Sequence, residues 1–133
     1  MNINKEIKSN NIFTIIDEVK SQGGYLVLPH PFKNHTNINE LAHYVDFIEV
    51  WNSRCSPLEN NKAIFLCEKF NKRYLLGSDA HTFFEIGNVQ FSYDCDQKKV
   101  INIKKFKYAS RYSIKQSQLI FKIKKYFKYF DNI

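Results

Sequence analysis

The sequence predicts an α/β protein with parallel strands, and three observations carry that expectation. Short continuous apolar runs alternate with stretches of helical periodicity, the connections between them are short, and each apolar run breaks abruptly into a polar loop. With 133 residues, 44% hydrophobic and 16% aromatic, the chain can bury the core of one domain.

Ile12, Ile15, Ile16 and Val19 recur at i, i+3, i+4 and i+7, which predicts a helix with one buried face, stopped by Gly23-Gly24. Tyr25 to Leu28 is uninterrupted and apolar, as a strand covered on both faces would be, and Pro29-His30-Pro31 ends it. Residues 34–39 form a polar loop and Glu40 to Tyr44 a short helix. Val45 to Trp51 follows as a second buried strand, with residues 52–61 again loop. A helix from about Leu58 to Phe70 places Ala63, Leu66, Cys67 and Phe70 on one side. Tyr74 to Leu76 makes a third strand ending in Gly77-Ser78-Asp79-Ala80-His81. Beyond it the pattern weakens to a strand at Val89 to Tyr93, a turn at 94–97 and a segment at Val100 to Phe106. The last element is a basic amphipathic helix, with Leu119, Ile120, Ile123, Tyr126, Phe127 and Phe130 on one face and Lys115, Lys122, Lys124, Lys125 and Lys128 opposite. Its apolar face is expected to bury against the body.

Charge divides the chain in two. Residues 1–96 hold 9 basic and 12 acidic side chains, a net of −3, whereas residues 97–133 hold 11 basic side chains and only Asp131, a net of +10. This predicts a mildly acidic body over 1–96 and a basic extension over 97–133 ending in the helix. Most often such lysines are the solvated face of a terminal helix; contact with an anionic membrane or with nucleic acid is the less frequent alternative. Cys55, Cys67 and Cys95 are odd in number and show no C-x-x-C spacing, which argues against a disulfide framework or a zinc knuckle. The polar start and the lack of an apolar run near ~18 residues give the expectation of a soluble, cytoplasmic protein.

Ligands of α/β sheets and barrels bind at the C-terminal ends of strands, and three such ends here carry chemistry. The first offers His30, the second Glu49 and Asn52, the third Asp79 and His81. Carboxylate plus imidazole is a borderline ligand set suited to Zn, Mn or Fe. Singly each has a plainer reading: a histidine after an apolar strand is more often a hydrogen-bonded loop residue than a ligand, and Asp79 serves equally as the cap of a turn. Glu49 says more, because a carboxylate in a buried strand is costly without a partner, and a metal or metal-bound histidine would be one.

The strings Gly23 to Phe32, Phe47 to Arg54 and Gly77 to His81, with Glu85-Ile86-Gly87 behind the last, resemble in order the PHP family of metal-dependent phosphoesterases, named for polymerase and histidinol phosphatase. The resemblance covers about residues 10–90 and is to the C-terminal half of a PHP domain. It implies a partial (β/α)7 barrel, a cluster of metal ions at its mouth and hydrolysis of phosphate esters. His30, Asp79 and His81 then look like metal ligands and Lys33 like the residue that holds the substrate phosphate, although lysine lacks the bidentate fork of arginine. Glu49, Asn52 and Ser78 look like residues that orient the ligands from behind.

PHP enzymes open with a His-x-His motif and further ligands that this chain does not contain; His35 and His43, eight residues apart, do not reproduce it. An incomplete site for Zn, Mn or Fe and little activity in isolation are therefore expected. A half barrel would also expose apolar edges, so completion by a separate N-terminal half or self-association follows as an expectation. Two function classes result: part of a phosphoesterase acting on a phosphate ester, or a non-catalytic remnant or binding module of the same fold.

Overall fold

The structure, a computed structural model, describes residues 3–130, and of residues 122–130 the backbone alone. The chain is a mixed α/β protein. Its elements are α1 (Ile12–Ser21), β1 (Val27–Leu28), α2 (Ile38–Tyr44), β2 (Phe47–Asn52), α3 (Pro57–Lys69), β3 (Arg73–Gly77), a 3-10 turn (Phe83–Glu85), β4 (Val89–Asp94), β5 (Lys99–Phe106) and α4 (Arg111–Phe130). Strands β1, β2 and β3 form one parallel sheet in that order, with Val27 opposite Phe47 and Phe47 opposite Arg73. Strands β4 and β5 form a separate antiparallel hairpin, and β5 lies against β3 without pairing to it. Among the described residues no helix is long and apolar enough to cross a membrane.

Local chemistry sets the boundaries. The Asn11 side chain accepts the N–H groups of Phe13 and Thr14 at 2.9 and 3.2 Å and so starts α1. Gly23, at φ 71°, takes the left-handed conformation that ends it. In α3 the Ser56 hydroxyl accepts the Glu59 N–H while the Glu59 carboxylate accepts the Ser56 N–H at 2.7 Å, a reciprocal cap followed by Pro57 at the first helical position. The core joins Leu28, Ile48 and Val50 of the sheet to Ala42, Val45, Leu66 and Cys67, so α2 and α3 cover one face of β1 and β2.

Two expectations are corrected. The first strand is only Val27–Leu28, and Val27 is 37% exposed, because β1 has a neighbour on one side alone among the described residues. The apolar face of the terminal helix does not pack as expected where side chains are described: Leu119 is 58% exposed and Ile120 is exposed too. The face of α4 that turns inward instead carries Ser113 and Ser117, because it meets a buried ion pair that needs hydrogen-bond partners. The side chains of Ile123, Tyr126, Phe127 and Phe130, and of the lysines from 122 onward, lie outside the described residues.

On the far side of β3 an apolar groove of about 530 Å³ opens between α3 and the hairpin, lined among others by Trp51, Tyr74, Leu76, Ile103 and Phe106. A 3-10 turn and the hairpin, not a helix, directly follow β3 among the described residues.

Candidate functional site

Parallel pairing brings the C-terminal ends of the three strands to one edge of the sheet, and the expected residues gather there. Glu49, on β2, sends its Oε2 toward β1, where it accepts the backbone N–H of His30 at 2.7 Å, and it also accepts Asn52 Nδ2–H at 3.0 Å. Its partners are thus N–H donors, where the sequence suggested a cation or metal. Asn52 is itself 1% exposed and is fixed from α3: Asn60 accepts its N–H at 3.0 Å and donates to its carbonyl at 3.2 Å. Ser53 ties β2 to the third strand end, its N–H donating to Gly77 O at 3.0 Å and its hydroxyl to Ser78 O.

His30 and Asp79 both adopt positive φ, 27° and 49°, a conformation non-glycine residues seldom take and one that concentrates at functional sites. Lys33 Nζ lies 3.2 Å from Asp79 Oδ2, so the residue expected to hold phosphate meets the residue expected to hold metal. His81 Nδ1 lies 2.7 Å from Asp79 O. A carbonyl only accepts, so Nδ1 carries the proton and Nε2 keeps its lone pair for a ligand or a proton.

His35 also belongs to this edge, which its sequence position did not reveal. The loop folds back until His35 Nε2 is 3.1 Å from His30 Nδ1, with the rings stacked at 5.1 Å. Burial, and then the neighbouring His30, lower the pKa of His35 from its ordinary value. Cys55 sits underneath, buried, with its thiol pushed up to about 11 chiefly by desolvation; Lys33 opposes the rise while Glu59, Glu49 and Asp79 add to it. Such a thiol is protonated near neutrality and is no nucleophile.

Two further residues escaped assignment. Glu85, 1% exposed, accepts the backbone N–H groups of His81 and Thr82 at 2.7 and 3.0 Å. Arg54 Nη1 donates to both of its oxygens at 2.8 and 2.9 Å. Burial pushes the Glu85 carboxyl up, but the His81 N–H, the Arg54 guanidinium, the Ser113 hydroxyl and the Thr82 N–H together hold it below the usual carboxylate value. The pattern Thr82-x-x-Glu85 is a sequence signal for a carboxylate reaching back to the start of a turn. Nothing in the sequence pointed to Arg54 as its partner.

His30, Asp79 and His81 do not by themselves fit a bound metal. Among the described residues no three His, Cys, Asp or Glu side chains are arranged to hold one, and the Asp79 carboxylate is engaged by Lys33.

Against known proteins, residues 57–101 match the family model described as PHP-associated. This stretch runs from the first turn of α3 through β3, Asp79 and His81 into β5. The chain therefore carries a PHP-associated region, consistent with the C-terminal part of a PHP protein that its motifs resemble. An uncharacterized protein of Methanocaldococcus jannaschii is 32% identical over 126 residues, an alignment that covers 79% of this chain and 53% of that protein. The chain thus spans about half the length of this curated relative.

Proposed function

We propose that the chain is the C-terminal portion of a PHP-type metal-dependent phosphoesterase, contributing His30, Asp79 and His81 to a metal site and Lys33 to phosphate binding. The observation that supports the reading is the parallel pairing of β1, β2 and β3, which brings the loops bearing His30, Lys33, Asp79 and His81 to one edge of the sheet. The remaining ligands and the strands that would continue the sheet past β1 would come from an N-terminal half. Zn, Mn or Fe would serve, and the chain alone would take up metal weakly.

A second reading, a non-catalytic remnant or binding module, is favoured by the Lys33 to Asp79 contact of 3.2 Å, since Lys33 already neutralises the carboxylate that a metal would need. The test is to assay a generic phosphomonoester with added Mn or Zn, first with this chain alone and then with the N-terminal half of the Methanocaldococcus jannaschii relative supplied separately. Hydrolysis that appears on mixing and disappears with His81→Ala supports the phosphoesterase. Stable association without turnover supports the remnant, and vigorous turnover by the chain alone overturns the idea that a second half is required.

A further inference from the structure

Glu85 touches no residue's reactive atom, yet it is held by three separate parts of the chain. Arg54 reaches it from just beyond β2, with the Arg54 side chain only 7% exposed. The Ser113 hydroxyl donates to it from the first turn of α4 at 3.1 Å, and Arg54 Nη2 donates in turn to Ser117 Oγ at 2.7 Å. The backbone N–H groups of His81 and Thr82 complete the set. A carboxylate this enclosed is tolerable only while these donors remain in place, so its position is fixed to within hydrogen-bond tolerance.

We infer that Glu85 is the positioning residue of His81, and that α4, through Ser113 and Ser117, is a structural part of the candidate site. Gripping the N–H of His81 sets the path of the chain between Asp79 and Thr82. That path determines whether the imidazole Nδ1–H can reach the Asp79 carbonyl, a hydrogen bond that occupies Nδ1 and not Nε2. The Arg54 guanidinium, hydrogen-bonded to both Glu85 oxygens, holds the carboxylate in the orientation that the His81 N–H meets. The inference deepens the reading of His81 as a site residue and rests on it.

The experiment is long-range 1H–15N correlation spectroscopy of the histidine rings in the full chain at pH 8, with His81 identified by the signals lost in His81→Ala. The native chain is expected to show His81 protonated at Nδ1. Glu85→Ala should lower the ratio of Nδ1–H to Nε2–H tautomer by roughly fivefold, the equilibrium equivalent of one net hydrogen bond. Glu85→Gln, which keeps one carbonyl oxygen for the His81 N–H, should recover part of the loss. Should Glu85→Ala fail to fold, Ser113→Ala removes one support, and the amides of His81 and Thr82 are then expected to exchange faster with solvent.

A variant whose melting temperature falls while the His81 tautomer ratio and the amide exchange stay native would overturn the inference, because Glu85 would then serve stability alone. The readout needs neither metal nor substrate. A native tautomer response without hydrolysis in the mixed halves keeps this device and removes the reaction, and hydrolysis without the response does the reverse.

Discussion

The carboxylate of Glu49 fills the space in which a side chain at residue 77 would begin. A Cβ built on Gly77 would fall on Glu49 Oε1 and lie 2.9 Å from its Cδ. Glycine is required here for room, since the carboxylate whose Oε2 accepts the His30 N–H also lies, through Oε1, against β3 at residue 77.

Gly77→Ala should therefore destabilise the fold by about 1–3 kcal/mol, the range for an inserted methyl that has nowhere to go. Pairing it with Glu49→Ala should give less than the sum of the two single losses, because the clash vanishes with the carboxylate. Urea denaturation of the four chains measures both quantities, and simple additivity would show that Glu49 moves aside freely.

Arg54→Met removes the only guanidinium hydrogen-bonded to Glu85 among the described residues and leaves a buried carboxylate with neutral donors. The expected cost is about 3–5 kcal/mol, as for other half-broken buried pairs. Arg54→Met combined with Glu85→Leu should recover a substantial part of it in the same denaturation assay.

The Ser56–Glu59 cap gives a pH-dependent increment. The Glu59 pKa is lowered first by the Ser56 N–H, then by the Ser56 hydroxyl, with burial opposing. A folded pKa below the unfolded one means that the unfolded chain binds more protons between the two. The stabilisation is therefore fully present above the ordinary carboxylate range and fades as pH falls through the lowered value. Glu59→Gln should lower stability near pH 7 and have a smaller effect at pH 3, and unfolding curves at the two pH values check the sign.

Leu119→Ser and Ile120→Ser should each change stability by no more than about 0.5 kcal/mol, since both side chains face solvent. Ser113→Val, at 2% exposure, should cost more because it strips a donor from Glu85. Thermal unfolding that ranks these variants the other way would restore the apolar face of α4 as its anchor.

Thiol titration with an aromatic disulfide at pH 8 should find one fast group, Cys95, and two that react only on unfolding. Cys55 and Cys67 are buried and desolvation raises both pKa values, whereas Cys95 is exposed.

The alternation of apolar runs and helical periodicity was enough to locate the elements from α1 through β3, because most of those runs end at glycine, proline or a capping residue that acts locally, and the signal is weaker beyond β3. The strand-end places of His30 and Asp79 were legible too, whereas Lys33 was marked only by the family resemblance and its pairing with Asp79 was not foreseen. The environment of Glu85 did not follow, since it depends on Arg54, Ser113 and Ser117, which stand 31, 28 and 32 positions away and carry no periodic signal. The terminal helix misled for the opposite reason: its apolar stripe is obvious in sequence, while the contact that holds its described part is made by two serines.

The separation of the two sheets also sets an order of assembly. The hairpin joins β4 to β5 through a turn of four residues, whereas the parallel sheet pairs Val27 with Phe47 and Phe47 with Arg73, contacts 20 and 26 positions apart in the chain. Forming a β-hairpin takes about 1–10 μs, while distant pairings must first overcome the entropy of the intervening chain. On the ribosome, however, β1, β2 and β3 emerge first, so the slow sheet has a head start that a chain diluted from denaturant does not. Synthesis and refolding should thus reach the same molecule by different routes.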